Sequence, residues 1–241
     1  MPRFFCPQEL AVGAQLTLPE AVAHHIQVVR LAPGHDITLF NGQGGEYLAT
    51  LSSIEKRRVT AQIVQHLPRE TELPYAVTLA QALPEASKID WIIEKAIELG
   101  ASGIEPLAAQ RCVVRLSAER AEKKHAHWQG IIVSASEQSG RNRLAQLAPL
   151  QDFKSWISHS DRSQRIILTP RAGQSLAGWA REQAPQAVTL MIGPEGGFSI
   201  DEENLAIANG ALALAMGPRI LRTETAGLAA LAALNACWGG M

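Results

Sequence analysis

AVTLMIGPEGGFSIDEE, residues 187–203, runs from a nearly continuous apolar hexapeptide through Gly193, Pro194, Glu195, Gly196 and Gly197 into an acidic segment. An apolar run of that length reads as a strand buried on both faces, the kind that parallel sheets use. Ser199 and Glu202 have the S-x-x-E spacing of a capping box, which starts a helix at about Ser199. The glycines then form the loop that leaves the carboxyl end of a central strand, where open α/β sheets bind ligands, and their bare backbone lets amides and carbonyls approach a ligand directly. The pattern is neither a Walker A motif, for want of Gly-Lys-Ser/Thr, nor GxGxxG, and Glu195 would repel a pyrophosphate. A carboxylate there suits a cationic or hydroxyl-bearing ligand. Taken alone, the stretch reads equally well as a glycine turn before a well-capped helix.

A second junction of the same kind follows. MGPRILRTETAG, residues 216–227, leaves an apolar strand and enters a helix, with Thr223 a candidate N-cap. Arg219 and Arg222 flank Ile220 and Leu221, an arrangement that lines an adenine-sized slot and turns two guanidiniums toward an anion, or else a solvated loop. Further outward, strands at 75–83, 165–169 and 211–216 alternate with helices at 87–100, 118–139 and 223–238, which predicts a parallel sheet covered on both faces. Residues 1–70 read differently: strands at 36–40, 46–54 and 57–67, a glycine turn NGQGG at 41–45 and one helix at 19–30 predict a small β-barrel-like domain. The polar, proline-bounded LPRETELP at 67–74 is the linker, and the second domain is expected over 75–241.

The 241 residues are 46% hydrophobic and 19% charged, ordinary for a folded chain with a sizeable core. Cys6, Cys112 and Cys237 are far apart and odd in number, which predicts neither a disulfide framework nor a zinc cluster and points to a reducing cytoplasm. The seven histidines lack ligand spacing, so no metal is expected. The N-terminus lacks the apolar core of a signal peptide, and no run reaches the ~18 apolar residues of a membrane span. With a net charge of −1, any nucleic-acid partner must be attracted by a local basic patch.

GPEGGFS and MGPRILRTETA together closely resemble the RsmE family of bacterial ribosomal RNA methyltransferases, of the SPOUT class. RFF (3–5), NGQGGEY, QALP (81–84), DWIIEKAIELG (90–100), RCVVRL (111–116) and SEQSGRN (136–142) extend the resemblance over nearly the whole chain, in order. Ile97, Glu85 and Cys112 depart from the family pattern, outside both loops. The resemblance implies an α/β, SPOUT-type parallel sheet with a C-terminal trefoil knot, preceded by a PUA-like β-barrel. It also implies S-adenosylmethionine as cofactor, a homodimer with the active site across its interface, and N3 of a uridine in 16S ribosomal RNA of the small subunit as the methyl acceptor. Carried onto this sequence, cofactor binding falls to Leu168, Thr169 and Pro170; to Gly193, Pro194, Glu195, Gly196 and Gly197; and to Met216, Gly217, Ile220, Leu221, Thr225 and Ala226. A dinucleotide-dependent oxidoreductase is disfavoured by the missing GxGxxG, and an RNA-binding module with a vestigial pocket by the two intact loops.

A uridine N3 is a poor nucleophile until its proton leaves, so the chemistry needs alignment together with a base, positive charge or both. Arg219 and Arg222 are candidates to stabilise the uracil oxyanion and Glu224 to accept the proton, with helix-dipole duty the alternative for Glu224. Glu195, inside the glycine loop, is assigned to binding. RNA contacts are expected at Arg3 beside Phe4 and Phe5, at Lys56, Arg57 and Arg58, and at Lys88, Arg111, Arg115 and Arg141. A strand start, a solvated turn and helix-end neutralisation are the plainer readings of Arg3, of Lys56 to Arg58 and of Arg141. The helix from Thr223 to Trp238 is small and apolar around most of its circumference, which predicts burial on nearly all sides, the second side in a dimer.

Overall fold

A computed structural model describes residues 1–56, 58–85, 88–159 and 163–240. The chain divides into two units, Met1–Glu72 with Ser136–Leu144, and Leu73–Ala135 with Ala145–Met241.

In the first unit β1 (Arg3–Phe5), β2 (Gln15–Thr17), β3 (Asp36–Phe40), β4 (Glu46–Ile54) and β5 (Val59–Leu67) form a sheet in the order β1-β3-β4-β5-β2, and α1 (Glu20–Val28) supplies Val22, Ala23 and Ile26 to its core. β1 runs parallel to β3; the other pairs are antiparallel. Gly42, Gly44 and Gly45 all take positive φ in the turn from β3 to β4, which is why the turn is glycine-rich. Phe4 is 1% exposed in the core, which removes it from any stacking role, whereas Phe5 is half-buried against Phe40.

The stretch Ser136–Leu144 completes this unit with charge. Arg141, expected to grip RNA, is only 4% exposed and donates from Nε to Glu72 at 3.0 Å. Arg3, expected to do the same, pairs with Glu46, donates to Asn142 Oδ1 at 2.7 Å and lies over the Phe40 ring. Arg69 also reaches Glu46, at 3.0 Å, and the Phe5 amide donates to Glu137 at 2.8 Å. A guanidinium taken out of water must be matched by carboxylates and carbonyls, and these two already are.

The second unit carries β6 (Val77–Ala82), α2 (Lys88–Glu98), β7 (Gly103–Ala108), α3 (Ala118–Ser139), β8 (Gln146–Leu147), β9 (Gln151–Asp152), α4 (Phe153–Ile157), β10 (Gln164–Leu168), α5 (Leu176–Glu182), β11 (Val188–Ile192), α6 (Ile200–Ala208), β12 (Leu212–Leu214) and α7 (Thr223–Trp238); the last turn of α3 lies in the first unit. Its sheet is parallel throughout, in the order β12-β10-β11-β6-β7-β8, with β9 also on β7. β11 is buried at every residue, as a strand with neighbours on both edges and helices over it must be. Parallel strands bring the loops after β6, β7, β10, β11 and β12 to the same edge.

α7 does not bury its whole circumference within one chain. A stripe of Gly227, Ala230, Leu231, Leu234, Asn235 and Trp238 is buried, while Leu228, Ala229, Ala232 and Ala233 are half-buried and Ala236 is exposed. Polar pins hold the buried stripe: Asn235 donates to the Leu99 carbonyl at 2.8 Å and accepts from the Tyr75 hydroxyl at 3.1 Å, and Trp238 Nε1 donates to Ala180 at 2.9 Å.

Replacing Arg141 by alanine strands the Glu72 carboxylate and is expected to cost about 3 kcal/mol, against less than about 0.5 kcal/mol for Arg143→Ala, whose guanidinium is 53% exposed. Urea titration of both variants checks this; equal midpoints would contradict it.

Candidate active site

A cavity of about 230 Å³ opens at the carboxyl edge of the second unit's sheet. Its floor is the loop after β11. Gly193 has no room for a side chain, since an added Cβ would lie 2.7 Å from the Phe198 nitrogen and 2.9 Å from Gly197. Gly197 takes φ 66°, left-handed, and turns the chain into α6. There the capping box closes as its spacing predicts: Ser199 N donates to Glu202 at 2.9 Å, and Glu202 N to the Ser199 hydroxyl at 3.2 Å.

The other walls come from neighbouring strand ends. Leu168, Thr169 and Pro170 follow β10; Met216, Gly217, Ile220 and Leu221 follow β12; Ala226 comes from the first turn of α7. With Gly193, Pro194, Glu195, Gly196 and Gly197, these bring together the expected cofactor positions apart from Thr225, which is exposed and off the wall. Arg219 lines the cavity. Arg222 is 83% exposed and off the wall, its Nη1 4.0 Å from Glu224 Oε1. Glu224 also stands off the wall, in the first turn of α7; its side chain is only 17% exposed and its Oε2 is buried without a hydrogen-bond partner among the described residues.

Thr223 does not cap α7. Arg222 is the N-cap residue, without a side-chain bond, and the Thr223 hydroxyl instead donates to the Gly193 carbonyl at 2.6 Å while accepting from Gln81 Nε2 at 3.0 Å. The entrance to α7 is thereby tied to the glycine loop and to β6.

Glu195 accepts from Lys88 Nζ at 2.6 Å and from the Glu85 amide at 3.0 Å. Burial pushes its carboxyl up, but the hydrogen bonds from Lys88 and from the Glu85 and Glu195 amides outweigh this and hold it below the ordinary carboxylate value of 4.5. Lys88, through its hydrogen bond to Glu195, is raised above its ordinary 10.5. By linkage, the Glu195 contribution is present above 4.5 and is lost as pH falls through the lowered value. The Lys88 contribution is present below 10.5 and is lost as pH rises through the raised one, so the pair is intact across neutral pH.

The remaining expected RNA contacts divide. Arg111 lines the cavity, donating to the Gly196 carbonyl at 2.8 Å and to that of Phe198 at 3.3 Å. Arg115 turns back onto the Gln110 carbonyl at 3.0 Å. In the first unit Lys56 and Arg58 are exposed on the turn from β4 to β5, and Arg57 lies outside the described residues. Sequence reasoning missed Arg171 and Glu203, which pair with each other on the cavity wall, Arg171 Nε reaching Glu203 Oε2 at 3.2 Å. Their signal was positional: Arg171 follows the strand-end Thr169-Pro170, and Glu203 sits in the first turn after the capping box. Among the described residues no three His, Cys, Asp or Glu side chains are grouped to hold a metal, and no helix is long and apolar enough to cross a membrane.

A parallel α/β sheet with a glycine-floored cavity at its carboxyl edge is the architecture that ligand-binding α/β folds use, and the chain carries a small β-unit as well. Family comparison narrows the class: residues 71–235 match the RNA methyltransferase domain, and residues 18–64 match the RNA methyltransferase PUA domain. The chain is similar to the ribosomal RNA small subunit methyltransferases E of Synechocystis (34% identity, 97% of this chain and 77% of the relative) and Bacillus subtilis (33%, 90% and 87%). Its structure is similar to that of the Neisseria gonorrhoeae methyltransferase E bound to S-adenosyl methionine (TM-score 0.92, 36% identity, 99% and 98% of the two chains). It is likewise similar to a Legionella pneumophila methyltransferase solved with SAM (TM-score 0.92, 35%, 98% and 97%). The chain belongs to the RNA methyltransferase family, in its small-subunit ribosomal RNA methyltransferase E branch, with the SPOUT-type sheet and PUA-like unit of that group.

Gly193→Ala forces backbone apart inside the floor and is expected to destabilise the protein by roughly 1–3 kcal/mol and to abolish ligand binding in the cavity. Gly173→Ala, with nothing within 4 Å of the added carbon, is the control. Thermal melts and cofactor titration of the two variants check it.

Proposed function

We propose that this protein transfers the methyl group of S-adenosylmethionine to N3 of a uridine in 16S ribosomal RNA of the small subunit, forming 3-methyluridine in the cytoplasm. The observation that carries the reading is the cavity at the ends of β10, β11 and β12, on a chain similar at 36% identity to a methyltransferase bound to that cofactor. The walls fit such a ligand. Leu168, Ile192, Phe198 and Leu221 offer apolar surface to a flat base, bare backbone at Gly196 and Gly197 meets its edges, and Glu203 and Thr169 present acceptors for hydroxyls.

When bound, the cofactor supplies a methyl group already activated by its sulfonium. The chain has to orient the uracil in line with that methyl and to remove the N3 proton. Glu224 is the proton acceptor favoured by the structure, because a buried carboxylate oxygen without a donor is costly unless a ligand group completes it. Arg219, on the cavity wall, and Arg222, solvent-exposed beside Glu224, stabilise the negative charge that spreads onto the uracil oxygens. No step calls for a metal.

The same reading includes a homodimer and a C-terminal knot. Ile220 at the cavity rim is 85% exposed, and the outer face of α7 is apolar yet only half-buried, surface that a second copy would cover. A monomeric mass by light scattering at micromolar concentration would count against the dimer.

Purified protein, S-adenosylmethionine and under-modified small subunits are expected to yield 3-methyluridine by nucleoside mass spectrometry, with free ribosomal RNA and transfer RNA assayed in parallel. Glu224→Gln should lower kcat about 100-fold or more with little change in cofactor affinity. Cofactor binding without 3-methyluridine on any RNA would refute the assigned substrate; a fully active Glu224→Gln would refute the assigned base.

A further inference from the structure

We infer that Arg111 is a positioning residue of the cofactor loop and not a phosphate contact, with Lys88 as its counterpart at the middle of the loop; the inference rests on S-adenosylmethionine occupying the cavity. A glycine-rich loop has more backbone freedom to lose than any other, and the cost of ordering it is subtracted from ligand affinity unless the protein already holds it in place. Here it is held at three points. Thr223 donates to the Gly193 carbonyl at 2.6 Å, Lys88 donates to Glu195 at 2.6 Å, and Arg111 Nη1 donates to the carbonyls of Gly196 at 2.8 Å and Phe198 at 3.3 Å.

The last contact depends on Gly197. Its left-handed φ of 66° carries the chain round so that the carbonyls on either side of it reach one guanidinium nitrogen. Arg111 is itself presented by a stitched turn. The Cys112 amide donates to the Ala109 carbonyl at 3.1 Å, the Gln110 amide to Glu202 at 2.7 Å, and Arg115 to the Gln110 carbonyl at 3.0 Å. Glu202 is 2% exposed and belongs to the capping box, so the turn and the start of α6 move as one piece. A cation donating to backbone carbonyls makes hydrogen bonds roughly twice as strong as neutral ones. Of the basic residues of RCVVRL, Arg111 therefore holds the floor of the cavity directly and Arg115 holds the turn that presents it.

The test is calorimetric titration of full-length protein with S-adenosylmethionine, together with binding of a 16S ribosomal RNA transcript over a salt series. Arg111→Ala is expected to weaken the cofactor, in Kd and in KM, by roughly tenfold, with kcat within about threefold and the salt slope of RNA binding unchanged. Arg111→Lys, which keeps a charged donor, should recover most of the loss. Lys88→Met should weaken the cofactor similarly, and adding Glu195→Gln to it should cost little more, since both changes break one bond. Unchanged cofactor affinity in Arg111→Ala with a salt slope lower by about one would overturn the inference in favour of a phosphate contact. Wild-type protein that fails to bind S-adenosylmethionine would be a different failure, that of the proposed function.

Discussion

The hydroxyl of Thr223 on the Gly193 carbonyl, at 2.6 Å, joins the two segments without which the cavity has no floor. One segment leaves β11 and the other enters α7, 30 residues apart in sequence, and the hydroxyl fixes their register from both sides by also accepting from Gln81. Gln81 is wholly buried in β6, the strand beside β11, where an amide is costly unless its hydrogen bonds are made. Its presence in a largely apolar strand is intelligible as the inner end of that chain of bonds: central strand to helix start to glycine loop. Packing alone would hold α7 against the sheet, but only a directional contact sets where its first turn stands, and Glu224 stands in that turn.

The small β-unit solves a related problem with charge. Its sheet closes on an apolar core, and around the start of β1 it gathers Arg3, Arg69 and Arg141 with Glu46 and Glu72. Such pairs add little net stability over apolar substitutes, but each is strongly coupled, because removing one partner leaves the other desolvated. What they supply is specificity of position: Ser136–Leu144 is distant in sequence, and the bonds from Arg141 to Glu72 and from Arg3 to Asn142 define where it joins the unit.

The parts of the fold legible in the sequence are those set by local pattern. The strands at 36–40 and 46–54 are legible to the residue, because alternation and a glycine turn between them leave no other register. The capping box at Ser199 and the near-continuous burial of β11 are legible for the same reason. β2 is not, since three residues of Gln-Leu-Thr carry no pattern and form a strand only because β5 offers an open edge. Thr223 reads as an N-cap from its residue type, yet whether a hydroxyl turns back to its own helix or across to another loop depends on a carbonyl that only the tertiary structure delivers.

Basic residues are the least legible class, and the reason is general. A count of charges along a chain treats every arginine as available to solvent, while the fold distributes them according to which carbonyls and carboxylates end up unsatisfied nearby. Arg3 and Arg141 meet carboxylates inside the β-unit, Arg111 meets two loop carbonyls, and Lys88 meets Glu195. The cavity is left with two unlike walls. The Gly193 to Phe198 side is bound at both ends, while Gly217 to Ile220 stands exposed around the opening. A fixed wall keeps the ordering cost of binding low, and an exposed one gives a ligand a way in; a site held rigid on every side would have to open before it could bind at all.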